Sequence, residues 1–154
     1  KRGFSTRYVT YSEGVFVGYR GYDRSQVKPL YPFGHGLTYT TFEYSDLRVT
    51  PAKGGCDVQI TLTNTGAYDA SEVVQVYVGE VNPSVPRPVK ELKAFKKAHL
   101  AAGESQVLNF RLDNEAFAFY DVESHDWKVN TGQFNVYVGA SAGDVRLNEF
   151  VNIR

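Results

Sequence analysis

Methionine is absent from all 154 residues, position 1 included. The chain is therefore read as a piece or a processed form of a longer polypeptide. Cysteine occurs once, at Cys56, which excludes an intrachain disulfide and leaves packing alone to hold the fold. Cys56 follows Gly54-Gly55 at the start of a strand-like run and has no catalytic partner in the sequence, so it reads as a small buried or half-buried thiol. Net charge is missing too: 17 Lys plus Arg balance 17 Asp plus Glu. No global field draws nucleic acid or an anionic membrane, and neither is expected as a partner. No run approaches the roughly 18 consecutive apolar residues of a membrane helix. The opening Lys1-Arg2-Gly3-Phe4 has neither an apolar leader core nor a helix-cap or strand signal.

The motifs of catalysis and cofactor binding are equally scarce. There is no Gly-x-Ser-x-Gly elbow, and Gly34-x-Gly36 lacks the third glycine and the flanking strand and helix of a dinucleotide fingerprint, so no cofactor is expected. The stretch Asp121-Val122-Glu123-Ser124-His125-Asp126 mixes carboxylates with an imidazole. Its histidine has no second His or Cys at ligand spacing, and the stretch reads as a solvated loop rather than a metal site. Lys90, Lys93, Lys96 and Lys97 form a basic run, but Glu91 interrupts it. The one Asn-x-Ser/Thr pattern, at Asn82, is blocked by Pro83.

What the chain does have, from Phe42 onward, is a period close to two, with Val-, Thr-, Tyr- and Phe-rich runs separated by Gly, Pro, Asn and Asp every 8 to 12 residues or so. Val58, Ile60 and Leu62 alternate with Gln59, Thr61 and Thr63 before the turn signal Asn64-Thr65-Gly66. Val74, Val76 and Val78 form the next inward set, and Pro83, Pro86 and Pro88 exclude regular pairing after it. Val107 to Leu112, the alternating Phe134, Val136 and Val138, and Val145 to Ile153 complete the series. The expectation is all-β: an immunoglobulin-like or fibronectin type III-like sandwich of about seven strands over residues 42–154. Val89, Leu92 and Phe95 are three apart, as on a helix, but the run is short and follows Pro88, so it is taken as an irregular edge strand protected by its lysines.

Residues 1–41 read differently, as an extended linker or strap with one short strand at Val15-Phe16-Val17. Its end, Pro29-Leu30-Tyr31-Pro32-Phe33-Gly34-His35-Gly36-Leu37-Thr38-Tyr39-Thr40-Thr41-Phe42, is a stiff aromatic hinge, because proline fixes φ while glycine opens angles closed to other residues. His35 reads as a hinge residue held by its neighbours rather than a general base.

The hinge and the preceding Glu13-Gly14-Val15-Phe16-Val17-Gly18-Tyr19-Arg20-Gly21-Tyr22-Asp23 resemble the junction before the C-terminal domain of glycoside hydrolase family 3 β-glucosidases. Thr63-Asn64-Thr65-Gly66, Glu72 to Val78, Arg87 to Phe95, Ala102-Gly103-Glu104-Ser105, Phe119-Tyr120-Asp121 and Val138-Gly139-Ala140-Ser141 follow in the order of that family's fibronectin type III-like domain. The resemblance runs from about Tyr11 to Leu147. It implies a parent enzyme performing retaining exo-hydrolysis of terminal β-D-glucosyl residues, with an aspartate nucleophile on a barrel and an acid/base glutamate on an α/β domain. No residue here matches the motif around either carboxylate, so no catalytic role is assigned to this chain. The resemblance makes residues 1–41 the end of the α/β domain plus the hinge, and makes the barrel and α/β domains the partners. Tyr19, Arg20, Tyr22, Asp23, Tyr31, Phe33 and His35 are then the candidates for interdomain contact, in a non-catalytic scaffolding domain. The alternative is a module that binds a polysaccharide or lignin surface through exposed aromatics, with Trp127 as the probe. As the only tryptophan of a sandwich, Trp127 is first expected in the core.

Overall fold

The computed structural model describes residues 8–154, so the expectations for Lys1 to Phe4 lie outside the described residues. Antiparallel β-strands dominate. In chain order they are β1 (Phe42–Ala52), β2 (Gly55–Asn64), β3 (Ala70–Glu80), β4 (Glu91–Leu100), β5 (Ser105–Asp113), β6 (Phe119–Asp121), β7 (Asp126–Lys128), β8 (Gly132–Ser141) and β9 (Asp144–Ile153). Seven of them make the expected sandwich, with one sheet ordered β1-β2-β5 and the other β4-β3-β8-β9. β6 and β7 form a separate hairpin that the alternation of apolar residues does not announce.

The core lies between the two sheets, where the alternating sets meet. Val58, Ile60 and Leu62 of β2 and Leu108, Phe110 and Leu112 of β5 face Val74, Val76 and Val78 of β3 and Phe134, Val136 and Val138 of β8. Each such side chain contributes about 1.5–3 kcal/mol relative to exposure. Phe117 closes one end, edge-to-face on Phe134 with ring centroids 5.1 Å apart. Cys56 is buried at the head of β2, as expected, and burial pushes its thiol up to about 11. β4 is an edge strand, as its length and Pro88 imply, and its pairing with β3 shifts register at Val76/Tyr77.

The expected short strand at Val15-Phe16-Val17 is not formed. Gly14 and Gly18, at φ 58° and 61°, bend the chain on both sides of it. The strap instead carries a short helix, α1 (Tyr19–Ser25), ended by Gln26 in the left-handed region. Phe16 returns against this helix, where the Arg24 guanidinium lies 4.1 Å from its ring centroid.

At the corner after β2, Asn64 is fully buried and uses both ends of its amide. Its Oδ1 accepts from the Thr40 hydroxyl at 2.6 Å and the Gly66 N–H at 3.2 Å, while its Nδ2 donates to the carbonyls of Tyr68 at 2.8 Å and Leu100 at 3.1 Å. The end of the strap, the β2–β3 corner and the end of β4 are thereby tied to one side chain. Asn64→Ala strands these partners and is expected to cost about 2–3 kcal/mol in urea unfolding, with the m value unchanged.

Among the described residues, the Tyr44 and Ser141 hydroxyls are buried without a hydrogen-bond partner. Burial, reinforced by Glu72, raises the Tyr44 hydroxyl well above its ordinary 10.0. The unfolded tyrosine loses its proton as pH passes about 10 while the folded one keeps it, so the folded state loses stability as pH rises through that window. Tyr44→Phe is expected to raise stability at neutral pH by about 1 kcal/mol and to flatten this alkaline fall, as measured by unfolding between neutral pH and pH values above 10.

Candidate interdomain surface

Along β3 the inward positions Val74, Val76 and Val78 belong to the core, so Gln75 and Tyr77 point to the opposite face of their sheet. A solvent-facing strand would leave that face wet. Here Tyr77 is 0% exposed, because the strap lies over it.

Tyr19 of α1 sets its ring edge-on to Tyr77 at 5.9 Å and stacks on Phe33 at 5.1 Å. Its hydroxyl accepts the backbone N–H of Leu92 at 2.8 Å. The Tyr77 hydroxyl donates to Gln75 Oε1 at 2.5 Å, and Gln75 Nε2 donates to the Ala140 carbonyl at 2.6 Å and the Gly34 carbonyl at 3.4 Å. Gly34 sits at φ 82°, and a Cβ there would strike the Gln75 amide, so the sheet requires glycine at this point of the hinge. The Ala142 N–H donates to the Phe33 carbonyl at 2.8 Å, fixing the hinge to the β8–β9 turn.

Charges complete the seat. Lys90 Nζ meets Asp23 Oδ2 at 2.6 Å, with both side chains largely buried. Arg20 meets Glu91 at 3.0 Å, and Glu91 also takes Arg87 at 3.3 Å and Lys93 at 3.7 Å. Arg87 is the centre of this network. It bonds Glu80 at 2.8 Å and the carbonyls of Phe117 and Ala118 at 2.9 and 3.1 Å, tying the Pro-rich loop to the segment that carries the β6–β7 hairpin. Burial lowers the Lys93 ammonium pKa, against the pull of Glu91. The expected basic run is thus divided: Lys90 and Lys93 are committed to carboxylates, and only Lys96 and Lys97 lie in solvent.

The seven strap candidates fall into two groups. Tyr19, Arg20 and Asp23 face the sandwich of their own chain. Tyr22 (45% exposed), Tyr31 (71%) and Phe33 (50%) remain open, as does His35, whose ring tilts against Tyr31 at 5.5 Å. Leu30, Leu37 and Tyr39 of the strap are exposed as well. The sequence pattern did not mark Gln75, Tyr77, Lys90 or Glu91 as contacts of the strap. A tyrosine at an outward strand position was the one available signal; nothing marked Lys90 as the partner of Asp23.

Trp127 is not in the core. It is 67% exposed on β7 and stands edge-to-face with Tyr120 at 5.8 Å, because β6 and β7 lie outside the two sheets that bury the other apolar strands. The Asp121–Asp126 segment is the exposed turn of this hairpin. The Lys128 ammonium and the Ser124 hydroxyl hold the Asp121 carboxyl well below the usual carboxylate range. Among the described residues, no three His, Cys, Asp or Glu side chains gather as a metal site, and no helix is long and apolar enough to cross a membrane.

Lys90→Met leaves Asp23 without its partner beneath the strap. It is expected to lower stability by about 2 kcal/mol and to speed proteolytic cleavage between residues 19 and 34, with Asp23→Asn on the same background recovering part of the loss.

The fibronectin type III-like domain model matches residues 72–142, which run from β3 to the β8–β9 turn. The chain is 45% identical over 149 residues to thermostable β-glucosidase B of Acetivibrio thermocellus, covering 94% of this chain and 20% of that protein. It is 46% identical over 141 residues to an exo-α-(1→6)-L-arabinopyranosidase of Bifidobacterium longum, covering 90% of this chain and 18% of that protein. The crystal structure of a Bifidobacterium adolescentis GH3 β-glucosidase superposes with a TM-score of 0.90 at 44% identity, over 93% of this chain and 21% of that one. The chain thus spans about a fifth of the length of the relatives it matches, and that fifth includes strap and sandwich together. The chain carries a fibronectin type III-like domain, and with its strap it is similar to the corresponding fifth of glycoside hydrolase family 3 β-glucosidases.

Proposed function

We propose that this chain is the non-catalytic C-terminal scaffolding domain of a family 3 β-glucosidase, an enzyme of retaining exo-hydrolysis at terminal β-D-glucosyl residues. Residues 1–41 lead from its α/β domain into the sandwich at 42–154, and the strap seats the barrel and α/β domains against the sandwich. The observation that carries this reading is the two-sidedness of the strap. One side is spent on β3 and β4 through Tyr19, Arg20 and Asp23, while the other lays out Tyr22, Leu30, Tyr31, Leu37 and Tyr39 in solvent. So many large apolar side chains exposed in one segment are what a partner surface would cover. Interdomain contact thus belongs to Tyr22, Tyr31, Phe33 and His35, and Tyr19, Arg20 and Asp23 hold the surface in place.

Nearly equal identity to a β-glucosidase and to an arabinopyranosidase supports a framework role, since a domain that chose the sugar would be expected to differ more between the two. A polysaccharide- or lignin-binding module would rest on Trp127 and Tyr120. Their rings cross at 78°, which does not make the flat platform that an extended surface ligand requires.

In the complete enzyme, Tyr31→Ser with Leu37→Ser and Tyr39→Ser is expected to lower Tm by several degrees and to separate the melting of this domain from that of the catalytic domains. The same substitutions should leave the Tm of the 154-residue chain nearly unchanged. Trp127→Ala should leave retention on insoluble polysaccharide as it was. An unaltered calorimetric profile of the enzyme, or retention lost with Trp127, would overturn the reading.

A further inference from the structure

Between α1, the hinge and the β8–β9 turn at Ala142 and Gly143 lies a hollow of about 280 Å³. Tyr19, Tyr22, Tyr31 and Phe33 line it with Pro32, and Asp23 is the one charged residue of its lining. Lys90 occupies Asp23 Oδ2 but does not line the hollow, and among the described residues Oδ1 makes no hydrogen bond. Aromatic rings present negative faces, so a lining of four rings, two of them stacked on each other, with one carboxylate oxygen left over from the Lys90 pair favours a cation over a neutral or anionic group.

A sugar ring needs several donors and acceptors around its rim, and this hollow offers one carboxylate and the hydroxyls of tyrosines. An arginine side chain needs less. Its aliphatic stem packs on Pro32 and the rings, its planar head stacks on an aromatic face, and its N–H groups meet a carboxylate oxygen.

We propose that this hollow receives an arginine side chain from the neighbouring domain of the enzyme, held by the aromatic faces of Tyr22, Tyr31 and Phe33 and by the carboxylate of Asp23. The proposal rests on the docking reading above and names the chemistry of the group that docks.

The test is a ¹H–¹⁵N NMR titration of the 154-residue chain with N-acetyl-arginine amide. Saturable shifts are expected at the amides of Tyr22, Phe33 and Gly143, with millimolar affinity, and the isosteric but uncharged N-acetyl-citrulline amide should not produce them. Tyr31→Ala, which removes a ring without touching the sheet, should weaken the response about threefold while the β3 and β8 signals stay in place. Equal shifts with the citrulline compound, saturation by D-glucose at the same amides, or no saturable shift with arginine would overturn the assignment. If arginine fails while the triple-serine enzyme still loses Tm, the cation falls and the docking surface stands. If both fail, both readings fall.

Discussion

Strand β3 is covered on both faces, and most of what surrounds it follows from that. Its valines enter the sandwich core, and its alternate residues Gln75 and Tyr77 would meet water if nothing lay over them. A buried tyrosine hydroxyl and a buried amide are costly unless they are bonded. Here they bond each other and then the carbonyls of Ala140 and Gly34. The sheet can bury these groups because the strap is there, and the strap holds its path because the sheet offers them. Helix α1 has only seven residues, too few to be stable alone, and gains its order from this surface.

The ionic contacts place the strap along the sheet. Asp23 and Arg20 are three residues apart on one helix and carry opposite charge, and they meet Lys90 and Glu91, adjacent residues of opposite charge at the start of β4. A slip or reversal of the helix would bring like charges together. Arg87 extends the arrangement inward, binding two carboxylates and two backbone carbonyls with its own side chain largely buried. Charge pairs of this kind add modest net stability and considerable geometric selectivity. Their arrangement sets the direction in which the aromatic side of the strap faces.

A sandwich with its strap so fixed presents a surface of set orientation, as the proposed scaffolding role would require. The chain's near-equal similarity to enzymes of different named activity fits the proposed role, in which the sandwich would supply position and the rest of the enzyme the chemistry.

The sequence by itself determined the sandwich. Apolar residues at every second position of 58–62, 74–78 and 134–138 have one arrangement that buries them all, and Asn64-Thr65-Gly66 and the Pro-rich loop say where strands stop. It also marked the hinge, because proline and glycine act on the backbone locally. Which side of the strap is spent and which is open is settled by tertiary contact, since the partners of Tyr19, Arg20 and Asp23 lie 67 to 73 residues further along the chain. The same holds for Trp127: composition alone favours burial, but a three-residue strand outside both sheets has no core to enter. Periodicity reports the face of an element, and contact with a distant element determines whether that face is dry.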